Sequence, residues 1–433
     1  MDYQEIYQQK LTTAERIVEN IQSGFCCAAT SALGEPSAIM RALAERVLRE
    51  DLRNIEHHML LASREERYLD PVFAGKIIHV PWFTSGKARP AVWEGRADFM
   101  PNFYYEVPRM WRENMSPDVF YAMVSPMDKH GFFSFGVGAA EGRAQMSNAR
   151  YVFLEVNRYM PRVLGDNFVH ISEVDAICEC DEPLPTIPDS ECSEKDKRIG
   201  QLIAERIPDG ATLQLGIGGI PNAVGEFLSA KKHLGIHSEL FCDSFVKLIQ
   251  SGAVDNSCKN INRGKSVATF AIGSQSLFEY IDDNPGVEFY PVDYVNDPRI
   301  IAQNDYMISV NSCVEVDLVG QVCSESIGHK NISGAGGQVD FIRGANWSKG
   351  GRSFICTYAT AKNDTISKIK PFLTEGAHVT TSKGDVDCIV TEYGIAELRG
   401  KTAAQRARAL ISVAHPKFRE ELLQSAEAMH LMI

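Results

Sequence analysis

Polar and apolar positions follow helical spacing over the first twenty-odd residues and again over 36–52. The stretch "MDYQEIYQQKLTTAERIVENI" is polar with a thin apolar stripe. It predicts an amphipathic helix that restarts at a capping box of Thr12 and Glu15 and ends near Ser23-Gly24. A second helix follows over 36–52, where "SAIMRALAERVL" repeats apolar residues three and four apart. The pattern then changes to short continuous apolar runs, "GKIIHVPWF", "DVFYAMVSP" and "YVFLEVN". Runs of that length without alternation read as strands buried on both faces, as in a largely parallel sheet. Strands separated by helical stretches make the class α/β.

The alternation breaks over 179–193, "ECDEPLPTIPDSECS", which is acidic and holds Pro183, Pro185 and Pro188. Neither a helix interior nor a central strand tolerates prolines so spaced, because each removes a backbone donor. The boundary between two domains, 1–185 and 186–433, is placed there. Past it, Ser193 and Asp196 form a cap for the helix "EKDKRIGQLIAERI". A turn at Pro208-Asp209-Gly210 then opens into the strand "ATLQLG", so the second half restarts the same alternation. No residue-level repeat accompanies this echo. The length of 433 residues suits two domains, each able to bury its own core.

Composition narrows the function classes. With 44% hydrophobic and 23% charged residues the chain is an ordinary globular protein. A formal net charge of −12 argues against a nucleic-acid partner, which would demand a basic face. It leaves room for a small anionic ligand held locally at a helix start. No apolar run approaches the ~20 residues of a membrane span, and the N-terminus has no charged-then-apolar leader pattern, so the expected location is the cytoplasm, away from the membrane. Eleven cysteines without a CxxC pair are expected to be reduced core thiols rather than disulfides or zinc ligands, and no metal is expected.

Two glycine clusters carry candidate chemistry. The strand "ATLQLG" runs into "GIGGIPNAVGEFL", in which Gly216, Gly218 and Gly219 precede Pro221 and an amphipathic helix. Strand, glycine loop and helix aim backbone N–H groups at an anion or a developing oxyanion. The spacing is not the G-x-G-x-x-G of a dinucleotide site, and a tight structural turn is the plain alternative. The second cluster, "ISGAGGQVDFIRGANWSKGGRSF", lies between a long β-like segment over 306–322 and the strand "SFICTYAT", with Lys362 just beyond. Glycines that no hairpin needs suggest a backbone closely approached by a ligand, against the alternative of a surface loop. Asp128 and His130 in "VSPMDKHGFFSFG" have the composition of a turn. No nucleophile elbow, HExxH or Walker loop is present.

The motifs "LGIGGIPNAV", "HLGIHSELFCD", "SGAGGQVDFIRGA" and "DCIVTEYGIAELRGKTAAQRARALISVAHPKFR", with "VSPMDKHGFFSFG" and "EVNRYMPRVLGD" in the first half, resemble the acetyl-CoA hydrolase/transferase family of CoA-transferases. The resemblance runs from about residue 10 to about residue 425. It implies two related α/β domains with the active site at their interface. It also implies transfer of CoA between a short-chain acyl-CoA, 4-hydroxybutyryl-CoA or butyryl-CoA, and acetate, with coenzyme A as co-substrate. The family's glutamate nucleophile, in the pattern H-T-E-M, falls on His237-Ser238-Glu239-Leu240, so Glu239 is the implied catalytic residue despite Ser for Thr and Leu for Met. By the same resemblance Gly216, Ile217, Gly218, Gly219 and Ile220 form the CoA and oxyanion loop, and Val314, Gly337 and Lys362 contact CoA. A homodimer or larger homo-oligomer is implied as well. The alternatives are an acyl-CoA hydrolase of the same family and a non-catalytic CoA-binding protein; the latter needs the glycine loops but not the glutamate.

Overall fold

The computed structural model describes residues 2–64, 67–187 and 190–432, so Pro188 of the predicted boundary lies outside the described residues. The chain divides into two compact units, Met1–Ile187 with Val267–Val295, and Pro188–Ser266 with Asn296–Ile433. The second unit is therefore interrupted in sequence. Val267–Val295 joins the first unit through pairing of Val287–Phe289 with Leu164–Gly165, and through hydrogen bonds from Ala140 N to Thr269 O at 3.1 Å and from Val292 N to Ala140 O at 3.0 Å. Sequence pattern alone places this segment with its chain neighbours, because nothing local encodes a partner more than a hundred residues away.

The first unit is built on six strands, β1 (Cys26–Ala29), β2 (Ile55–Met59), β3 (Ile77–Pro81), β4 (Val119–Val124), β5 (Tyr151–Val156) and β6 (Ala176–Glu179). Their order is β3-β2-β1-β4-β5-β6, and every pairing is parallel. Every residue of β4 is buried, which explains its uninterrupted apolar run. Helix α1 (Ser37–Glu50) follows β1 and turns Ile39, Met40, Leu43 and Val47 into the core. It ends at Asp51, whose left-handed backbone sends its N–H back to Val47 O.

The second unit repeats the plan with β7 (Thr212–Gln214), β8 (Gly235–Ile236), β9 (Met307–Ser312), β10 (Arg352–Cys356), β11 (Cys388–Thr391) and β12 (Gly394–Glu397). The order is β8-β7-β9-β10-β11-β12, parallel except for the closing β11–β12 hairpin. Its helices are α2 (Glu194–Ala204), α3 (Gly219–Leu228), α4 (Asp243–Gln250), α5 (Gln338–Trp347) and α6 (Ala403–Val413). The capping box at the start of α2 pairs Ser193 with Asp196 as the sequence suggests. In both sheets the first strand stands where the order reverses, the place at which open α/β sheets leave a crevice beyond their strand ends.

Two local readings change, and a third, the turn at Asp128, holds. The N-terminal cap belongs to Thr13, not Thr12: the Thr13 side chain accepts from Arg16 N, whereas Thr12 N bonds to Ile177 O at 2.8 Å. The β-like segment over 306–322 is not one strand. Asp317 Oδ1 accepts from Val319 N at 3.1 Å and Gln321 N at 2.8 Å and turns the chain, so Glu315–Asp317 pairs outside the main sheet. Asp128 and His130 make a turn, in which Asp128 Oδ1 accepts from His130 N at 2.8 Å and Phe132 N at 3.0 Å. None of the eleven cysteines is in a disulfide. Among the described residues no helix is long and apolar enough to cross a membrane.

Candidate active site

The glycine loop leaves β7 at the reversal point of the second sheet. Parallel pairing sets Leu213 against Ile236, so the loop after β7 and the segment that carries Glu239 leave the sheet side by side. Side chains flanking the glutamate tie the two segments together: Ser238 Oγ donates to Leu215 O at 3.3 Å, and Cys242 Sγ lies 3.8 Å from Gly216 O. The loop then turns through Gly218 at φ +113°, a conformation that a side chain would strain. Gly218 is the N-cap of α3, and no side chain caps this helix, so the first N–H groups of α3 point out of the loop. Ile217 at the loop's crest is 49% exposed, while Ile220 anchors the other end in the core.

Glu239 is half-buried between two buried residues, Ser238 and Leu240. It is thus not the solvated turn residue that its place after the polar stretch Lys231–His233 would allow. The Asn296 amide donates to Glu239 Oε2 at 2.7 Å and to Asp340 Oδ2 at 3.3 Å. Asn296 and Asp340 are both fully buried. The third wall is backbone: a β-carbon at Gly337 would collide with Glu239 Oε2 and Asn296 Nδ2. A glycine is needed there for close approach, which accounts for part of the second cluster. Gly337 is also the N-cap of α5, whose first turn carries Asp340 where the helix dipole favours a negative charge.

The remaining predicted residues lie on loops beyond the carboxyl ends of the same parallel strands. Val314 follows β9, half-buried, with its N–H on Cys323 O at 2.8 Å. Lys362 follows β10 at the tip of the hairpin joining Thr360–Ala361 to Ile366–Ser367, exposed and at φ +49°. The structure thus gathers Glu239, Gly337 and the 216–220 loop, and sets Lys362 on an exposed projection. Sequence reasoning missed Asn296 and Asp340. Asp340 carried a faint signal, a lone acid in the apolar first turn "QVDFI"; Asn296 in "DYVNDPR" carried none.

One group in the first unit has metal-ligand spacing, namely Cys26, Glu56 and His58 on paired strands β1 and β2. Hydrogen bonds engage two of its three members, Glu56 and His58. The Trp82 indole N–H donates to His58 Nδ1 at 3.3 Å, which puts the imidazole proton on Nε2, and that proton faces Glu56 Oε2 at 3.1 Å.

The profile of the acetyl-CoA hydrolase/transferase N-terminal domain matches residues 1–188, and that of the C-terminal domain matches residues 273–426. The chain is 47% identical to the 4-hydroxybutyrate coenzyme A transferase of Clostridium kluyveri, over 98% of each chain. It is also 47% identical to the succinyl-CoA:cyclohexane-1-carboxylate CoA transferase of Geobacter metallireducens, over 99% of this chain and 97% of that one. The crystal structure of RipA from Yersinia pestis matches the whole of both chains with a TM-score of 0.95 and 40% identity. A carboxylate, glycine loops and two sheets of one plan thus come together in a chain that belongs to the acetyl-CoA hydrolase/transferase family and is an enzyme of the CoA-transferase type.

Proposed function

We propose that the protein moves CoA between a short-chain acyl-CoA, 4-hydroxybutyryl-CoA or butyryl-CoA, and acetate, with Glu239 as the nucleophile. The observation that carries this is the mounting of Glu239. It is half-buried and held at Oε2 by Asn296, with Gly337 against it and its neighbour Ser238 bonded to Leu215 O at the root of the glycine loop.

The Glu239 carboxylate attacks the acyl-CoA carbonyl, the C–S bond breaks, and CoA leaves as thiolate from a mixed anhydride. The thiolate then attacks the glutamyl carbonyl carbon. The anhydride C–O bond breaks and the donor acid departs with the bridging oxygen, leaving a glutamyl-CoA thioester. An acceptor carboxylate reverses these steps, so the kinetics are ping-pong. Charge develops on a different oxygen at each stage. When Glu239 attacks, it develops on the acyl oxygen, for which the N–H groups of the 216–220 loop are the donors. When the thiolate attacks, it develops on Glu239 Oε2, where Asn296 already donates. A preorganised donor of this kind is worth on the order of 10²–10³ in rate. Gly337 gives the room, and Val314 and Lys362 are assigned to the CoA chain, whose remote contacts offset the positioning of two acids.

The test is to incubate the enzyme with butyryl-CoA and no acceptor, and to map any adduct by peptide mass spectrometry. The expected product is a CoA adduct on the peptide containing Glu239, discharged by acetate as acetyl-CoA. An adduct on another residue, or none, overturns the reading. Release of free CoA and butyrate at the same rate with and without acetate assigns hydrolysis instead.

A further inference from the structure

Asn296 has a single side-chain nitrogen, and that nitrogen serves two carboxylates, Glu239 at 2.7 Å and Asp340 at 3.3 Å. An amide carries two hydrogens on its nitrogen and none on its oxygen. Were the amide turned over, its oxygen would face both carboxylates and be repelled by each. Asp340 therefore fixes which end of Asn296 meets Glu239. It is itself fixed, being fully buried on the first turn of α5, directly after the Gly337 backbone that presses on Glu239 and Asn296.

This matters once the reaction starts. As a carboxylate, Glu239 attracts an N–H strongly and by itself orients the amide. As a glutamyl-CoA thioester it is a neutral carbonyl and a much weaker acceptor. At that stage the buried Asp340 Oδ2 still accepts from Asn296 and holds the amide hydrogens on this side. We propose that Asp340 is a positioning residue of the transfer reaction. It acts through Asn296 and keeps the second N–H on Glu239 Oε2 while that oxygen passes from carboxylate to thioester carbonyl and back. The inference rests on the reading of Glu239 as nucleophile.

The experiment compares wild type, Asp340→Asn, Asn296→Ala and the double variant. It measures thioester formation in a single turnover with butyryl-CoA, steady-state kcat and KM for butyryl-CoA, and thermal melting. Asp340→Asn keeps the shape but offers Asn296 either an oxygen or an NH₂, so the orientation is lost. The expected result is a fall on the order of 10²-fold in thioester formation and in kcat, with KM for butyryl-CoA little changed. In the Asn296→Ala background the same substitution is expected to cost no further rate, since the residue through which it acts is gone. An equal cost in both backgrounds, or a wild-type rate of thioester formation in folded Asp340→Asn, overturns the proposal. If Asp340→Asn does not fold, Asp340→Ser is carried through the same cycle with the same two criteria. The two readings fail separately: absence of a Glu239 adduct in the wild type removes the nucleophile, whereas a wild-type adduct formed equally fast without Asp340 removes only the positioning residue.

Discussion

The two sheets treat the same helix terminus in opposite ways. In each unit the first strand stands at the reversal of strand order, and its loop leads into a helix whose first N–H groups face the crevice beyond the sheet. In the first unit that place is taken by Glu155 at the end of β5. Its Oε2 accepts from Ala38 N at 2.8 Å and Ile39 N at 3.0 Å, while Ser37 Oγ donates to Oε1 at 3.3 Å. Glu155 is fully buried, and burial pushes its carboxyl up to about 7 against the pull of those donors. In the second unit the start of α3 has no side-chain cap, and a loop with an exposed crest leads into it. Topology offers an anion site in both units. Glu155 from β5 fills that place in the first unit; in the second the Asp196 carboxylate lies against Gly219 at the start of α3 without capping it.

The largest effect expected is from exchanging the two carboxylates for amides, one at a time. Glu239→Gln should lose essentially all transfer while folding normally, because an amide cannot become the thioester; an enzyme assay alongside circular dichroism checks both halves. Glu155→Gln should keep transfer near the wild-type level, since its amide oxygen can still accept from Ala38 and Ile39. Comparable losses from both would erase the distinction between reagent and structural plug.

Next in size is the open terminus itself. Gly218→Val forces a β-branched side chain onto a backbone at φ +113° and crowds the α3 donors, so turnover should fall on the order of 10²–10³-fold with only a modest drop in melting temperature. Wild-type turnover would show that the loop supplies no oxyanion donors.

Stability should then show the opposite bias. A carboxyl raised on folding is bound to its proton more often in the native state, so stability falls as pH rises from about 4.5, its ordinary value, through about 7. Glu155→Gln removes that proton. The melting temperature of the variant minus that of the wild type should therefore climb across this window. The buried histidines of β2 and β3 run the other way: burial pushes His79 down to about 3, which costs stability as pH falls below 6.5. Their contribution cancels in the difference, and a flat difference curve would mean that Glu155 stays ionised.

The smallest effect belongs to the exposed tip. Lys362→Ala should raise KM for acyl-CoA and leave KM for acetate unchanged, by no more than about five-fold, because an exposed charge pair is worth at most about 1 kcal/mol. Equal shifts for both substrates would detach Lys362 from CoA.

Much of this protein was legible along the chain because its signals are local. Continuous apolar runs marked β3, β4 and β5 to within a few residues, since strands covered on both faces need no polar alternation, and the turn at Pro208-Asp209-Gly210 marked the start of β7. Gly218 announced a turn that only glycine makes easily, and Ser193 with Asp196 announced the start of α2. Glu239 became a candidate through the motifs around it. What sequence pattern left open depends on partners far apart in the chain. Asn296 lies 57 positions from Glu239 and 44 from Asp340, and Glu155 caps a helix 117 positions away. No periodicity encodes such pairings. They exist because parallel strands bring their carboxyl ends to one edge, where loops from distant parts of the chain meet, and that convergence is decided only when the whole sheet has formed.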